Sequence, residues 1–188
     1  SRGLGDVYKR QVKDTIPDEK IEILRDNCNN LRDRAMIDFL LSTGIRVGEL
    51  VRLNIDDIDF SERECVVCGK GDKERKAYFD AKTKIHLLNY IESRTDNNIA
   101  LFVSLNKPHS RLIESGVELR LREMGKKLGV EKVHPHKFRR TMATRAIEKG
   151  MPIEQVQKIL GHEQIDTTLR YAMVNQNNVK LSHRKYIS

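Results

Sequence analysis

Residues 134–140 read HPHKFRR, two histidines around a proline followed by a lysine, a phenylalanine and two arginines. Such a cluster could hold a metal through His134 and His136, bind a DNA backbone through its cations, or supply half of a catalytic site. On a helix His136 and Arg139 stand three apart and share a face, with Arg140 beside them. Phe138, Met142 and Ala146 fall on another face and can anchor that helix, so the histidine and arginine are expected to be held rigidly outward. Three further segments carry chemically able side chains. GHEQIDTTLRY places His162 on an exposed turn and Tyr171 nine residues later; TGIRVGEL puts Arg46 just after a helix break, where its guanidinium can enter a cleft; GKGDKERK sets Lys70 between two glycines at a hairpin tip. Taken singly, each has a plainer reading as a basic surface, a cap or a solvated turn.

The elements that would position these residues are legible as a mostly helical α+β domain. Thr15-Ile-Pro-Asp resembles a helix start, with a capping hydroxyl, early proline and acids in the first turn. LRDRAMIDFLLST predicts a second helix with Leu31, Ala35, Phe39 and Leu40 on its apolar face and a stop near Gly44. RVGELVRL begins a third, short helix. IDDIDF, ECVVC and RKAYF are short, alternating or β-branched, and separated by polar turns, which predicts a small three-stranded antiparallel sheet. Helices return in AKTKIHLLNYIESR, in GVELRLREMGKKLG with its stripe Val117, Leu121, Met124 and Leu128, and in HKFRRTMATRAIEKG closed by Gly150. PIEQVQKILG has proline near its start and glycine past its end, the usual asymmetry of helix termini. DTTLRYAMV reads as a last short helix before a polar tail.

With 188 residues, 38% hydrophobic and 33% charged, the chain suits one soluble domain with a real core. No apolar run approaches the roughly 20 residues that span a bilayer. Three cysteines, Cys28, Cys65 and Cys68, argue against a secreted disulfide framework, so a cytoplasmic protein without membrane attachment is expected. The formal charge of +8 is unevenly placed: Lys and Arg outnumber Asp and Glu 17 to 8 over residues 107–188, against 15 to 18 over residues 12–106. A basic C-terminal half points to a polyanionic partner, most often nucleic acid. Cys65 and Cys68 have C-x-x-C spacing, but three apart on a strand they face opposite sides, and no second pair completes a zinc site.

In their order and spacing the four segments resemble the catalytic domain of the tyrosine recombinases, or phage integrases, across about residues 13–188. The family pattern is an arginine in T-G-x-R-x-x-E-L, a lysine at a β-hairpin, then H-x-x-R, L-G-H and a nucleophilic tyrosine. The resemblance therefore implies a catalytic set of Arg46, Lys70, His136, Arg139, His162 and Tyr171, acting on double-stranded DNA. It also implies site-specific strand cleavage and rejoining through a 3′-phosphotyrosyl link, with no cofactor and no metal. Arg46 and Arg139 would stabilise the nonbridging phosphate oxygens, His136 would serve as base, His162 would hydrogen-bond the phosphate, and Lys70 would protonate the departing 5′-oxygen. Family members work as tetramers on DNA, exchanging the segment after the tyrosine, here NQNNVKLSHRKYIS. They usually carry an N-terminal DNA-clamping helical domain.

The first eleven residues, SRGLGDVYKRQ, look like one reading frame of a transposon-end adapter, so residues 1–11 are expected to be non-native and residues 12–188 to form the catalytic domain, with the clamping domain absent. Weak DNA binding by this chain alone follows. Lys73 and Lys76 rival Lys70 as the acid. Tyr78 and Tyr90 look like core, Tyr186 lies in the tail, and Arg140 occupies a place where the family often has histidine. Two alternatives are a type IB topoisomerase-like strand transferase and a non-enzymatic DNA-binding protein.

Overall fold

The structure is a computed structural model that describes residues 15–69, 71–162 and 176–187. Residues 1–14, Lys70 and Tyr171 lie outside the described residues, so the expectations for the first eleven residues and for the DTTLRYAMV helix fall outside them too. The chain runs α1 (Asp18–Asp26), α2 (Leu31–Thr43), α3 (Val47–Arg52), a 3-10 turn (Ile55–Asp57), then β1 (Ile58–Asp59), β2 (Glu64–Cys68) and β3 (Glu74–Tyr78). It continues with α4 (Ala81–Ser93), α5 (Glu114–Lys127), α6 (Pro135–Glu148), α7 (Ile153–Leu160) and α8 (Gln176–Tyr186).

Helix α2 is the hub, with α4 and α6 packed against it. Asn30 caps its start by accepting from the Asp33 N–H at 2.9 Å, which satisfies one orphan donor. The expected single apolar face is too narrow a description. Met36, Ile37 and Leu41 are buried along with Ala35, Phe39 and Leu40, whereas Leu31 is exposed at the helix start. Burial on all sides forces its charges to pair. Asp33 accepts from Arg32 (2.7 Å) and Arg120 (2.7 Å), and Asp38 from Arg25 (2.6 Å) and His86. Phe39 meets Phe79 and Phe102 at 5.8 and 6.2 Å between ring centroids, which ties the sheet and the 100–103 segment to α2.

The helix ends at Gly44, whose φ of +64° lets its N–H reach the Leu40 carbonyl at 3.0 Å. A methyl built on Gly44 would also overlap the Met142 thioether of α6. Gly44→Ala is therefore expected to cost about 1–2 kcal/mol from the left-handed backbone alone, or roughly 2–8 °C in a thermal melt of a domain this size. An unchanged melting temperature would contradict that account.

The sheet order is β1-β2-β3, antiparallel throughout, with Cys65 opposite Ala77 and Val67 opposite Arg75. Cys65 and Val67 are buried while Val66 and Cys68 face outward, so the two cysteines do face opposite sides. Two helix starts differ from expectation. α1 begins at Asp18 with Pro17 as its cap residue and no side-chain cap, so Thr15 does not take that position. In the polar tail α8 forms, with Val179, Leu181 and Tyr186 exposed. The remaining helices expected within the described residues form, α6 and α7 beginning at Pro135 and just after Pro152. No helix among the described residues is long and apolar enough to cross a membrane.

Candidate active site

Arg46 stands two residues beyond Gly44, in the cap position of α3. Its backbone N–H donates to Glu49 Oε2 (2.9 Å) and its Nη1 to Oε1 (3.2 Å), so the stem is fixed while 46% of the side chain stays exposed. α3 itself is pinned by Arg111, whose Nη1 donates to the Val51 and Leu53 carbonyls at 2.9 and 3.1 Å. Glu49 is buried, which alone would raise its pKa. Two N–H donors from Arg75 and the Arg46 backbone N–H outweigh this and hold the carboxylate below its usual range.

Arg139 is the correction to the outward-facing expectation. It is 2% exposed, and its Nη1 donates to the Gly44 carbonyl (2.7 Å) and its Nη2 to that of Leu160. One guanidinium thus clasps the C-terminal ends of α2 and α7, where a cation suits both helix dipoles. Arg46 lies two residues past one clasped carbonyl and His162 two past the other, so the clasp brings them together. Phe138 anchors α6 in the main core, as its spacing predicts, and Met142 and Ala146 pack in a smaller cluster between α6 and α7.

His162 follows Gly161, whose φ of +67° turns the chain, and donates its N–H to the Gln157 carbonyl at 3.1 Å. Burial first, then the charges of Arg139, Arg46 and Arg75, push its imidazole down to about 4. His136 is depressed as well, by partial desolvation and then by Arg140 and Arg139, although its side chain is exposed along α6. His134 has a structural use: it is the cap residue of α6, accepting from the Lys137 N–H at 3.3 Å.

Two clefts of about 700 and 910 Å³ adjoin at Arg46 and Val47. His136, Arg139, Arg122 and Lys132 line the first; Arg75, His162, Lys73 and Lys158 line the second. Arginines converging on two neutral imidazoles make a site that attracts an anion and in which each imidazole offers a hydrogen-bond acceptor as well as a donor at neutral pH. Of the six expected residues, Arg46, His136, Arg139 and His162 are brought together; Lys70 and Tyr171 lie outside the described residues. Lys73 shares the second cleft, while Lys76 points to the opposite face of β3 and pairs with Glu64 at 2.9 Å. Tyr90 is core, as expected, but Tyr78 is 50% exposed and is not. Arg75 and Glu49 were not singled out by sequence. Strand alternation could have found Arg75, which shares a face with buried Ala77.

The depressed histidines have a pH consequence. Between pH 6.5 and about 4 the unfolded chain binds protons at His162 that the folded chain refuses, so stability falls as pH falls through that window. Thermal melts from pH 7 to pH 4 are expected to slope downward, and less steeply in His162→Gln. Equal slopes would show that His162 is not depressed.

The architecture is that of tyrosine recombinase catalytic domains. It superposes on the crystal structure of XerA recombinase with a TM-score of 0.77 at 32% identity, over 92% of this chain and 64% of that one. The Tn1549 transposon integrase, solved in complex with transposon right end DNA, shares the fold with a TM-score of 0.77 at 20% identity, over 93% of this chain and 66% of that one. The chain belongs to the phage integrase family, whose model matches residues 14–178. Tyrosine recombinase XerC of Staphylococcus aureus is 37% identical over 161 residues, 83% of this chain and 53% of that protein. The chain thus spans about half the length of the curated relatives it matches.

Proposed function

We propose that residues 12–188 are the catalytic domain of a site-specific recombinase that cuts and rejoins double-stranded DNA. The observation that carries this reading is the convergence of Arg46, Arg139, His136 and His162 on one cleft system, with both imidazoles held neutral. Arginine forks suit the nonbridging oxygens of a phosphodiester, and donors aimed at developing charge are worth about 10²–10³ each in rate. Tyr171 is assigned as nucleophile. Its phenol, with an unperturbed pKa of about 10, gains acidity from the arginines, and His136 accepts its proton. Attack on phosphorus forms the Tyr171 O–P bond and breaks the P–O5′ bond, with Lys70 giving the leaving oxygen its proton. The 3′-phosphotyrosyl link conserves the bond energy, and the reverse attack by a 5′-hydroxyl rejoins the strand. Lys73 is the second choice as acid, because it lines the cleft. The proposed assembly is a tetramer on DNA, with α8 and its exposed Val179, Leu181 and Tyr186 docking on a neighbouring copy.

The test is to incubate the protein in chelator with a pool of nicked duplexes of random sequence and to sequence the DNA and protein of any covalent adduct. Adducts on Tyr171 with a shared DNA sequence support recombination. Adducts without sequence preference favour a topoisomerase-like strand transferase. An adduct elsewhere, or one requiring a divalent metal, overturns the mechanism.

A further inference from the structure

The Arg75 side chain joins three parts of this site: the sheet, the start of α3 and the end of α7. It lies on β3 opposite buried Val67, so its stem points inward from the sheet. Its Nη1 and Nη2 grip both oxygens of Glu49, the latter at 2.8 Å, and its Nε donates to the Ile159 carbonyl at 3.1 Å. The stem lies against Gly161, where a methyl group would come within 2.8 Å of Arg75 Cδ. Glu49 in turn holds the backbone and guanidinium of Arg46. The chain of contacts therefore runs from the last turn of α7, through Arg75 and Glu49, to Arg46. It also crosses the strand that follows the Gly69–Lys73 turn, closed by the Gly69 N–H on the Lys73 carbonyl at 2.9 Å.

We propose that Arg75 is a positioning residue for strand transfer: its guanidinium locks Arg46, the sheet hairpin and the His162 turn into one rigid frame. This rests on the recombinase reading above. With both oxygens of a buried carboxylate gripped, the fork is committed to Glu49, so its effect on a phosphate runs through Arg46 and His162. A lysine would keep the charge but lose the two-point grip.

The test pairs two readouts on Arg75→Gln and Arg75→Lys. In the free protein, histidine-ring NMR titration should show His162 moving upward in Arg75→Gln, since a cationic neighbour is lost. With a nicked duplex recovered as above, the single-turnover adduct rate should fall by about 10²-fold, the scale set by misplacement of about 1 Å, with DNA affinity kept within about threefold. Arg75→Lys should keep His162 closer to wild type yet recover little of the rate. An unchanged adduct rate in a folded Arg75→Gln protein overturns the proposal whatever His162 does. So does an unmoved His162. If Arg75→Gln fails to fold, Arg75→Lys is read instead, and a wild-type rate there overturns the proposal. If the wild type forms no adduct at all, the recombinase reading has failed, and the NMR arm alone decides whether Arg75 holds the His162 turn.

Discussion

Replacing Arg139 by alanine is expected to cost about 3–5 kcal/mol of folding stability and to remove adduct formation. The stability loss follows from what the guanidinium satisfies. The carbonyls of Gly44 and Leu160 lose their donor together, and each buried group left unpaired costs about 1–3 kcal/mol. The favourable cation at two helix C-termini goes too. Against a total stability of about 5–15 kcal/mol this is a large fraction, visible as a shift of roughly 10 °C or more in melting temperature. The activity loss has a separate origin, because the residue also lines the cleft in which Arg46 and His136 stand. Arg139→Lys should recover part of the stability and little activity, since one ammonium cannot serve two carbonyls and a phosphate with fork geometry. A urea melt showing less than about 1 kcal/mol lost in Arg139→Ala would mean that the clasp does not hold the helix ends.

Tyr171→Phe carries the second large effect, and it is confined to chemistry. Removing the phenolic oxygen removes the attacking atom, so adduct formation should drop by upwards of about 10⁴-fold, the scale seen when a nucleophile is deleted. DNA affinity, which rests on cations, should change little and should keep its salt dependence. Tyr78→Phe and Tyr90→Phe are the controls. Tyr78 is exposed on β3, and the Tyr90 hydroxyl accepts from the Val103 N–H at 3.2 Å. Tyr90→Phe should therefore lose about 1 kcal/mol of stability and keep the reaction. An adduct that survives Tyr171→Phe would assign the nucleophile elsewhere.

Much of the frame was readable because local rules decided it. Gly44, Gly161 and Gly150 mark helix ends by their left-handed backbones, and Pro135 and Pro152 mark starts. The cysteines of β2 separated by strand alternation alone. What escaped was whatever depends on the neighbour across a gap. Helical spacing put Arg139 on a face but could not say that two helix ends would close over it. Leu31 fits an apolar stripe, yet it lies at a helix start with solvent beside it. Arg75 and Glu49 are 26 positions apart in sequence, and only the sheet's return brings a cation on β3 against a carboxylate on α3. Tyr78 reads as core because it sits in a strand, but the pleat turns it outward. The tail helix carries too few apolar residues to show a stripe.

The division of the hydrophobic interior has a consequence in time. Val156 and Leu160 of α7 pack with Ala143 in a small cluster separate from the large one built on α2. Eight residues are too few to remain helical once detached in water. α7 can therefore melt away from the body without breaching the main core once the Arg139 and Arg75 bonds to its last turn are broken, taking the His162 wall with it. The cleft then has a duty cycle, set by how often that small cluster and those two guanidinium bonds open together. Amide exchange at Val156–Leu160 faster than at Met36–Leu40 would measure it directly.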